Sequence, residues 1–153
     1  MKILARFTLG GLVLLGIAIL SGCAAAKAPL IEPNVLEGTK KDAVIETLKP
    51  TADSLLVGLI SNDYELFSKD FNDDVRKGMD EVAFDTLTSL LAEKLGGFQT
   101  SEITTVLQES QYSTLVYSLK YDDGNEVIMR IVFSRTDPPK IAGIWFDSPV
   151  LAQ

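Results

Sequence analysis

The side chains that could do chemistry in this chain form a short set. The sequence of 153 residues contains no histidine and a single cysteine, Cys23. Without an imidazole, serine triads of the common kind lack their base. Without a second thiol, the chain can form neither an internal disulfide nor a thiolate metal site. Carboxylates, tyrosines, lysines and arginines therefore remain as the groups on which catalysis or binding could depend.

Among the carboxylates, Asp63 and Asp70 are the candidates for a catalytic group. A carboxylate forced into an apolar cavity has a raised pKa and could act as a general base. Each also has a structural explanation, as a helix cap for Asp63 and as a solvated helix residue for Asp70. The acidic run 70–74 with Glu81 has calcium-loop spacing, but Val75 stands where such a loop needs glycine, which favours a solvated turn. We predict no catalytic residue, no metal site and no cofactor.

Cys23 closes an N-terminal segment that has the features of an export signal. Lys2 and Arg6 precede an apolar run over residues 7–20, which is shorter than the roughly 20 residues needed to span a bilayer. The sequence Leu-Ser-Gly-Cys that follows resembles the lipobox of bacterial lipoprotein signal peptides. The resemblance implies cleavage before Cys23 and acylation of this residue, so that the lipid bilayer becomes a partner of the chain. An ordinary signal peptide with a chance cysteine is the alternative.

The expected location is extracytoplasmic and membrane-anchored. Ala24 follows the cysteine, and the family's sorting rule then implies the outer membrane in a Gram-negative cell, or the outer face of the cell membrane otherwise. Cleavage would remove Lys2 and Arg6 but no acidic residue, so the 14 basic residues fall to 12 against 21 acidic ones, a net charge of −9. Such a surface repels polyanions, and we therefore expect no nucleic-acid partner.

The rest of the chain divides into a tether and one domain. Residues 23–40 contain prolines and glycine without sustained periodicity, which predicts a lipidated flexible tether, and residues 41–150 form a single α+β domain. Helical and then alternating periodicity predicts N-terminal helices packed on a curved four-stranded antiparallel sheet. Pro50 leaves open whether the first helix kinks or a second one begins there. The predicted helices cover about 42–61, 64–71 and 81–95, and the strands about 99–109, 112–121, 126–135 and 140–147.

Several segments between residues 42 and 148 resemble the nuclear transport factor 2-like, or cystatin-like, superfamily. They are "LISNDYELFSKDF", "FDTLTSLLAEKLGGFQ", "STLVYSLKYDDGNEVIMRIVF" and "KIAGIWF". Within the superfamily they are similar to a family of uncharacterised domains from secreted bacterial and archaeal proteins. The resemblance implies a cone between helices and sheet that could hold a small molecule. The candidates for lining this pocket are Tyr64, Phe67, Phe71, Tyr117 and Trp145.

The predicted sheet has a second apolar face, turned away from the helices. Ordinary scattered surface residues and a homodimer packed through the sheets both explain it. Its expected residues are Val116, Ile128, Arg130 and Val132, with Ile144 or Ile141 from the last strand. Three functions stay open: a non-catalytic module that binds a small ligand or a protein, a small isomerase or dehydratase with a buried carboxylate, and a purely structural envelope protein. The sequence does not identify the ligand.

Overall fold

The computed structural model describes residues 34–122 and 124–152. Cys23, the predicted signal peptide and most of the predicted tether lie outside the described residues. Within the described part of the chain, no helix is both long enough and apolar enough to cross a bilayer. The elements are, in chain order, β1 (Asn34–Val35), α1 (Gly38–Ser61), α2 (Tyr64–Ser68), α3 (Asp73–Gly78), α4 (Glu81–Leu95), β2 (Phe98–Gln108), β3 (Tyr112–Tyr121), β4 (Glu126–Ser134) and β5 (Ile141–Asp147).

The predicted α+β class is confirmed, but the predicted number of strands is wrong. The sheet has five antiparallel strands in the order β1-β2-β3-β4-β5, so that consecutive strands are neighbours throughout. The four long strands lie where the alternating pattern places them. The additional strand, β1, is two residues long, and a strand of that length leaves no alternation in the sequence from which it could be predicted.

Ordered structure begins before the predicted end of the tether at residue 40. β1 pairs with the last two residues of β2, and α1 begins at Gly38. Leu36, between the two elements, is buried in the core, and its backbone N–H donates to the carbonyl of Val106 at 2.8 Å. Burial of this leucine gives the segment a fixed place on the sheet, although its proline- and glycine-containing sequence has no period.

α1 continues through Pro50 as one helix of 24 residues. A proline leaves the carbonyl four residues earlier without its helical partner, here the carbonyl of Glu46. Both residues are exposed, so water can reach the free carbonyl. The opposite side of the helix is buried against the sheet, through Leu48, Ala52, Leu55, Leu56 and Leu59.

Polar residues start and stop the helices, and Asp63 has the cap role that the sequence predicts for it. Asn62 ends α1 in the left-handed region with φ 54°, and Asp63 and Asp80 cap α2 and α4. Each cap side chain accepts a hydrogen bond from the N–H three residues later, at 3.0 and 2.9 Å. Asn72 caps α3 in the same way, but this helix was not predicted because none of its residues is buried and it has no apolar stripe.

The inner face of the sheet, turned toward the helices, holds the core. Alternate residues of β3 and β4, including Leu115 and Phe133, are buried there, in agreement with the alternating pattern of these strands. A register shift after Val132 changes which side chains of β5 join them. Ile141 pairs with Phe133 and Ile144 pairs with Ile131, so both lie on the inner face. The prediction that one of them contributes to the outer face is therefore wrong.

Candidate functional site

An aromatic cluster lies under the helices and contains three of the predicted pocket residues. Tyr64 and Phe67 belong to α2, Phe71 follows it, and Phe84 of α4 completes the cluster. Ring centroids are 4.6 Å apart for Phe67–Phe84, 5.2 Å for Phe67–Phe71 and 5.6 Å for Tyr64–Phe84. The three phenylalanines are at most 4% exposed. These rings therefore fill the space between α2, α4 and the sheet.

Tyr64 lies at the edge of this cluster and is half-buried. Its hydroxyl donates to the backbone carbonyl of Met79 at 3.0 Å. The bond joins α2 to the segment between α3 and α4. Because the hydroxyl already has this partner, the geometry assigns Tyr64 a structural role in joining the short helices.

Tyr117, on the inner face of β3, is enclosed completely. The residue is 2% exposed, and its hydroxyl is cut off from solvent without a hydrogen-bond partner among the described residues. Burial raises the pKa of Tyr117 well above its usual range, and the nearby carboxylate of Asp53 adds to the shift. The phenol is thus a neutral group inside the core, with no solvent route for a proton.

Trp145 lies on the outer face of the sheet, away from the other four predicted pocket residues. It is opposite Arg130 in the register and 53% exposed. The six-membered part of its ring covers Gly143, where a Cβ would come within 2.1 Å of the ring carbon Cη2. Glycine at position 143 therefore allows the indole to lie close to the strand.

The outer face combines exposed aromatic surface with charges of both signs. Register places Val116, Ile128 and Val132 on the same face as Trp145, and all three are half-buried. Arg130 is exposed at its centre. Residues paired across neighbouring strands form a row on the sheet. The row that contains Ile128 also contains Glu102 on β2 and Asp147 on β5, both of which are exposed. Below, "outer face" means these seven residues.

Carboxylates within the described residues all reach solvent, because none of them belongs to the buried class. Asp63 and Asp80 cap helices, and Asp70 contacts the ammonium of Lys140 at 3.4 Å. In the same part of the chain no group of three or more potential ligands is arranged to hold a metal ion. The acidic run 70–74 instead carries the cap of α3 and the Lys140 contact.

Sequence reasoning missed a groove between the C-terminal ends of α1 and α4. We call it the helix-end groove; its volume is about 450 Å³. The signal for it was the pair Gly96-Gly97, which ends α4 and directly precedes the aromatic Phe98. Without a fold, nothing placed that pair beside the end of α1. The groove is lined by Leu59, Ile60, Asn62, Thr88, Ser89, Leu91, Ala92, Gly96, Gly97, Phe98 and Tyr121.

Comparison with protein families assigns most of this domain. Residues 52–144 match the model described as "Protein of unknown function (DUF3887)". The chain belongs to this family. The match runs from the second half of α1 into β5, so it includes the aromatic cluster, the helix-end groove and most of the outer face. The coarser prediction of an uncharacterised domain family is confirmed. No curated protein and no solved structure matches the chain.

Proposed function

We propose that this DUF3887 protein is an extracytoplasmic lipoprotein whose domain is a non-catalytic interaction module. The proposed anchor is Cys23, acylated after cleavage at the Leu-Ser-Gly-Cys motif. Two or more acyl chains suffice for stable anchoring, since each buried CH₂ contributes about 0.8 kcal/mol. The protein would then face outward from the outer membrane of a Gram-negative cell, or from the cell membrane otherwise.

The fold proposed for this module is nuclear transport factor 2-like. Support comes from the order of elements, with helices first and a long antiparallel sheet after them, and from the core that lies between the two layers. The cone of such a fold would be occupied here by the protein's own side chains. Phe67, Phe84, Leu115, Leu119 and Met129 are all fully buried in it.

The observation that supports an interaction role best is the exposed Trp145 on the outer face. Exposed tryptophan backed by half-buried aliphatic side chains is the usual composition of a protein contact rather than of free surface. The interior, in contrast, contains no buried carboxylate among the described residues. The alternative of an isomerase or dehydratase depends on such a carboxylate, and no observation favours it.

The partner we propose for the outer face is a second copy of the chain. In a two-fold symmetric dimer, the same patch on each subunit contacts its copy on the other subunit. The patch must therefore carry charges that can pair with one another. Arg130 has the carboxylates of Glu102 and Asp147 on the next row of the same face. A partner subunit, turned by two-fold symmetry, could thus offer carboxylates to Arg130 across the contact.

Oligomeric state tests the interaction proposal. Native mass spectrometry of the acylated chain, released from detergent, should give a dimer for the wild type and a monomer for Trp145→Ala. Val82→Ala is the matched control, because Val82 is an exposed apolar residue of α4, 74% accessible, and lies off the sheet. A wild-type monomer, or a dimer that persists in Trp145→Ala, would contradict the proposed contact.

The anchor has its own test. A Cys23→Ser chain cannot be acylated at that position, so acyl mass should be absent from the purified protein. After carbonate extraction, the wild type should stay in the membrane pellet. Variant protein that has been exported and cleaved should appear in the supernatant. Full acylation of the variant would rule out Cys23 as the lipid site, while the dimer measurement would remain interpretable.

A further inference from the structure

The helix-end groove has the volume of a small-molecule site and a lining of mixed polarity. Its volume of about 450 Å³ lies within the range of roughly 300–1,000 Å³ that is usual for ligand pockets. Leu59, Leu91 and Phe98 supply an apolar lining, and Thr88 and Ser89 add hydroxyls. None of the lining residues is charged.

The groove lining includes one tyrosine, Tyr121. Tyr121 is 6% exposed, and its ring packs edge-on against Phe98 with centroids 5.9 Å apart. No described residue forms a hydrogen bond with its hydroxyl. Unlike the hydroxyl of Tyr117, that of Tyr121 is not cut off from solvent, and Tyr121 is one of the residues that line the groove. A hydroxyl that solvent reaches and that bonds to no described residue is available to donate to a molecule in the groove.

The C-terminal ends of two helices affect which ligand charge is favourable in the groove. α1 ends at Ser61 and α4 ends at Leu95, and residues from the last turn of each line the groove. The C-terminal ends of helices carry partial negative charge from free carbonyls. The carboxylate of Asp122 lies beside the rim, on the N–H of Gly97 at 2.8 Å. These groups together disfavour an anionic ligand.

The rim of the groove is held in place by the same carboxylate. The N–H of Asp122 also donates to the carbonyl of Gly97 at 2.9 Å. A side chain at Gly97 would collide with Asp122, since a Cβ there would lie 2.6 Å from Oδ2. The glycine and the aspartate thus form a closed pair of hydrogen bonds that fixes one wall of the groove beside Tyr121.

We propose that the helix-end groove binds a neutral, chiefly apolar small molecule whose carbonyl oxygen accepts the hydrogen bond of the Tyr121 hydroxyl. The apolar lining takes up the hydrocarbon part, and the phenol fixes its orientation. Burial raises the pKa of Tyr121, so the group keeps its proton and acts as a donor. This site is separate from the outer face and does not depend on the proposed dimer or on the lipid anchor.

A matched set of eight-carbon probes tests the proposal. The full chain, held in lipid nanodiscs, is titrated with methyl hexyl ketone and with octanoate while amide NMR spectra are recorded. The ketone should shift the amides of Asn62, Gly96 and Gly97 in a saturable way. Octanoate should bind at least about 10-fold more weakly, because it would add a negative charge at two helix C-terminal ends.

Two variants assign the contact to Tyr121. Tyr121→Phe keeps the ring and removes the donor, so ketone affinity should fall by about 3- to 10-fold, the usual worth of one hydrogen bond. Tyr117→Phe makes the same change at the phenol that has no solvent access and should leave ketone affinity unchanged. Ala92→Phe, at an exposed position of the rim, should abolish the shifts by filling the groove.

Any of the following outcomes would overturn the proposal. They are ketone shifts that map outside the groove, octanoate affinity equal to that of the ketone, and full affinity in Tyr121→Phe. Partition of the ketone into the nanodisc lipid alone would shift none of these amides and would also count against it. Tyr121→Phe should keep the dimer of the wild type, so failure at this groove remains distinguishable from failure at the outer face.

Discussion

Tyr117 and Tyr121 stand four residues apart on the same face of β3, but their hydroxyls differ in access to solvent. Tyr117 is covered so completely that its hydroxyl reaches neither solvent nor any hydrogen-bond partner in the described part of the chain, whereas Tyr121 lines a groove. The strand itself does not cause the difference. α1 ends at Ser61 and α4 ends at Leu95, and the groove lies where the two helices stop. Helix length therefore decides which part of a uniform apolar strand face becomes core and which becomes a candidate site.

The largest expected effect comes from opening the enclosed region. Phe67→Ala should lower the free energy of unfolding by about 3–5 kcal/mol, because a fully buried ring is lost and its neighbours Phe71 and Phe84 cannot close the cavity. Urea unfolding measures the loss. Val82→Ala, in the exposed part of α4, should cost less than about 0.5 kcal/mol in the same assay. Equal losses in both variants would mean that the aromatic cluster is not a packed core.

A smaller effect, of opposite sign, should come from the two phenols themselves. Tyr117→Phe removes a buried hydroxyl that has no partner, so the free energy of unfolding should rise by about 1 kcal/mol. Tyr121→Phe should change it by less than about 0.5 kcal/mol, since that hydroxyl is not cut off from solvent. Urea unfolding of both variants compares the two directly. Destabilisation by Tyr117→Phe would show that the hydroxyl has an acceptor after all, such as a buried water molecule.

Alkaline pH should give the smallest effect and affect both tyrosines. Burial raises the pKa of Tyr117 and of Tyr121 in the folded state, so the unfolded chain releases these protons first as the pH rises. Their contribution to stability is complete below the ordinary tyrosine pKa of about 10 and is lost progressively above it. Urea midpoints recorded across this range should fall less steeply in the double variant Tyr117→Phe, Tyr121→Phe. Parallel slopes in the double variant and the wild type would contradict the shifts.

The fold follows from the sequence where the determining contact is local. Asp63 and Asp80 cap helices through bonds that span three residues, and the alternation in β3 and β4 depends only on strand geometry. Prediction failed where long-range packing decides. β1 exists because it pairs with the far end of β2, about 70 residues away along the chain. α3 has no buried face that a pattern could reveal.

The candidate site was harder to predict than the fold for the same reason. The resemblance predicted that Phe67, Phe71 and Tyr117 line an interior cone, but it did not predict whether that cone is open or filled. Trp145 lies on the side away from the helices because it pairs with Arg130, and the register shift after Val132 places Ile141 on the inner face together with Ile144. The helix-end groove depends on the relative positions of the C-terminal ends of α1 and α4. The sequence of either helix alone does not predict these relative positions.

The two-residue strand β1 gives the domain a mechanical property. Any tension carried by the chain before Asn34 reaches the sheet through two residue pairs at its edge and then through buried Leu36. Those few hydrogen bonds would break long before the four long strands are disturbed. Peeling β1 away would lengthen the chain before α1 and spare the rest of the sheet, so a pulling force on this end would open the domain at its first edge strand.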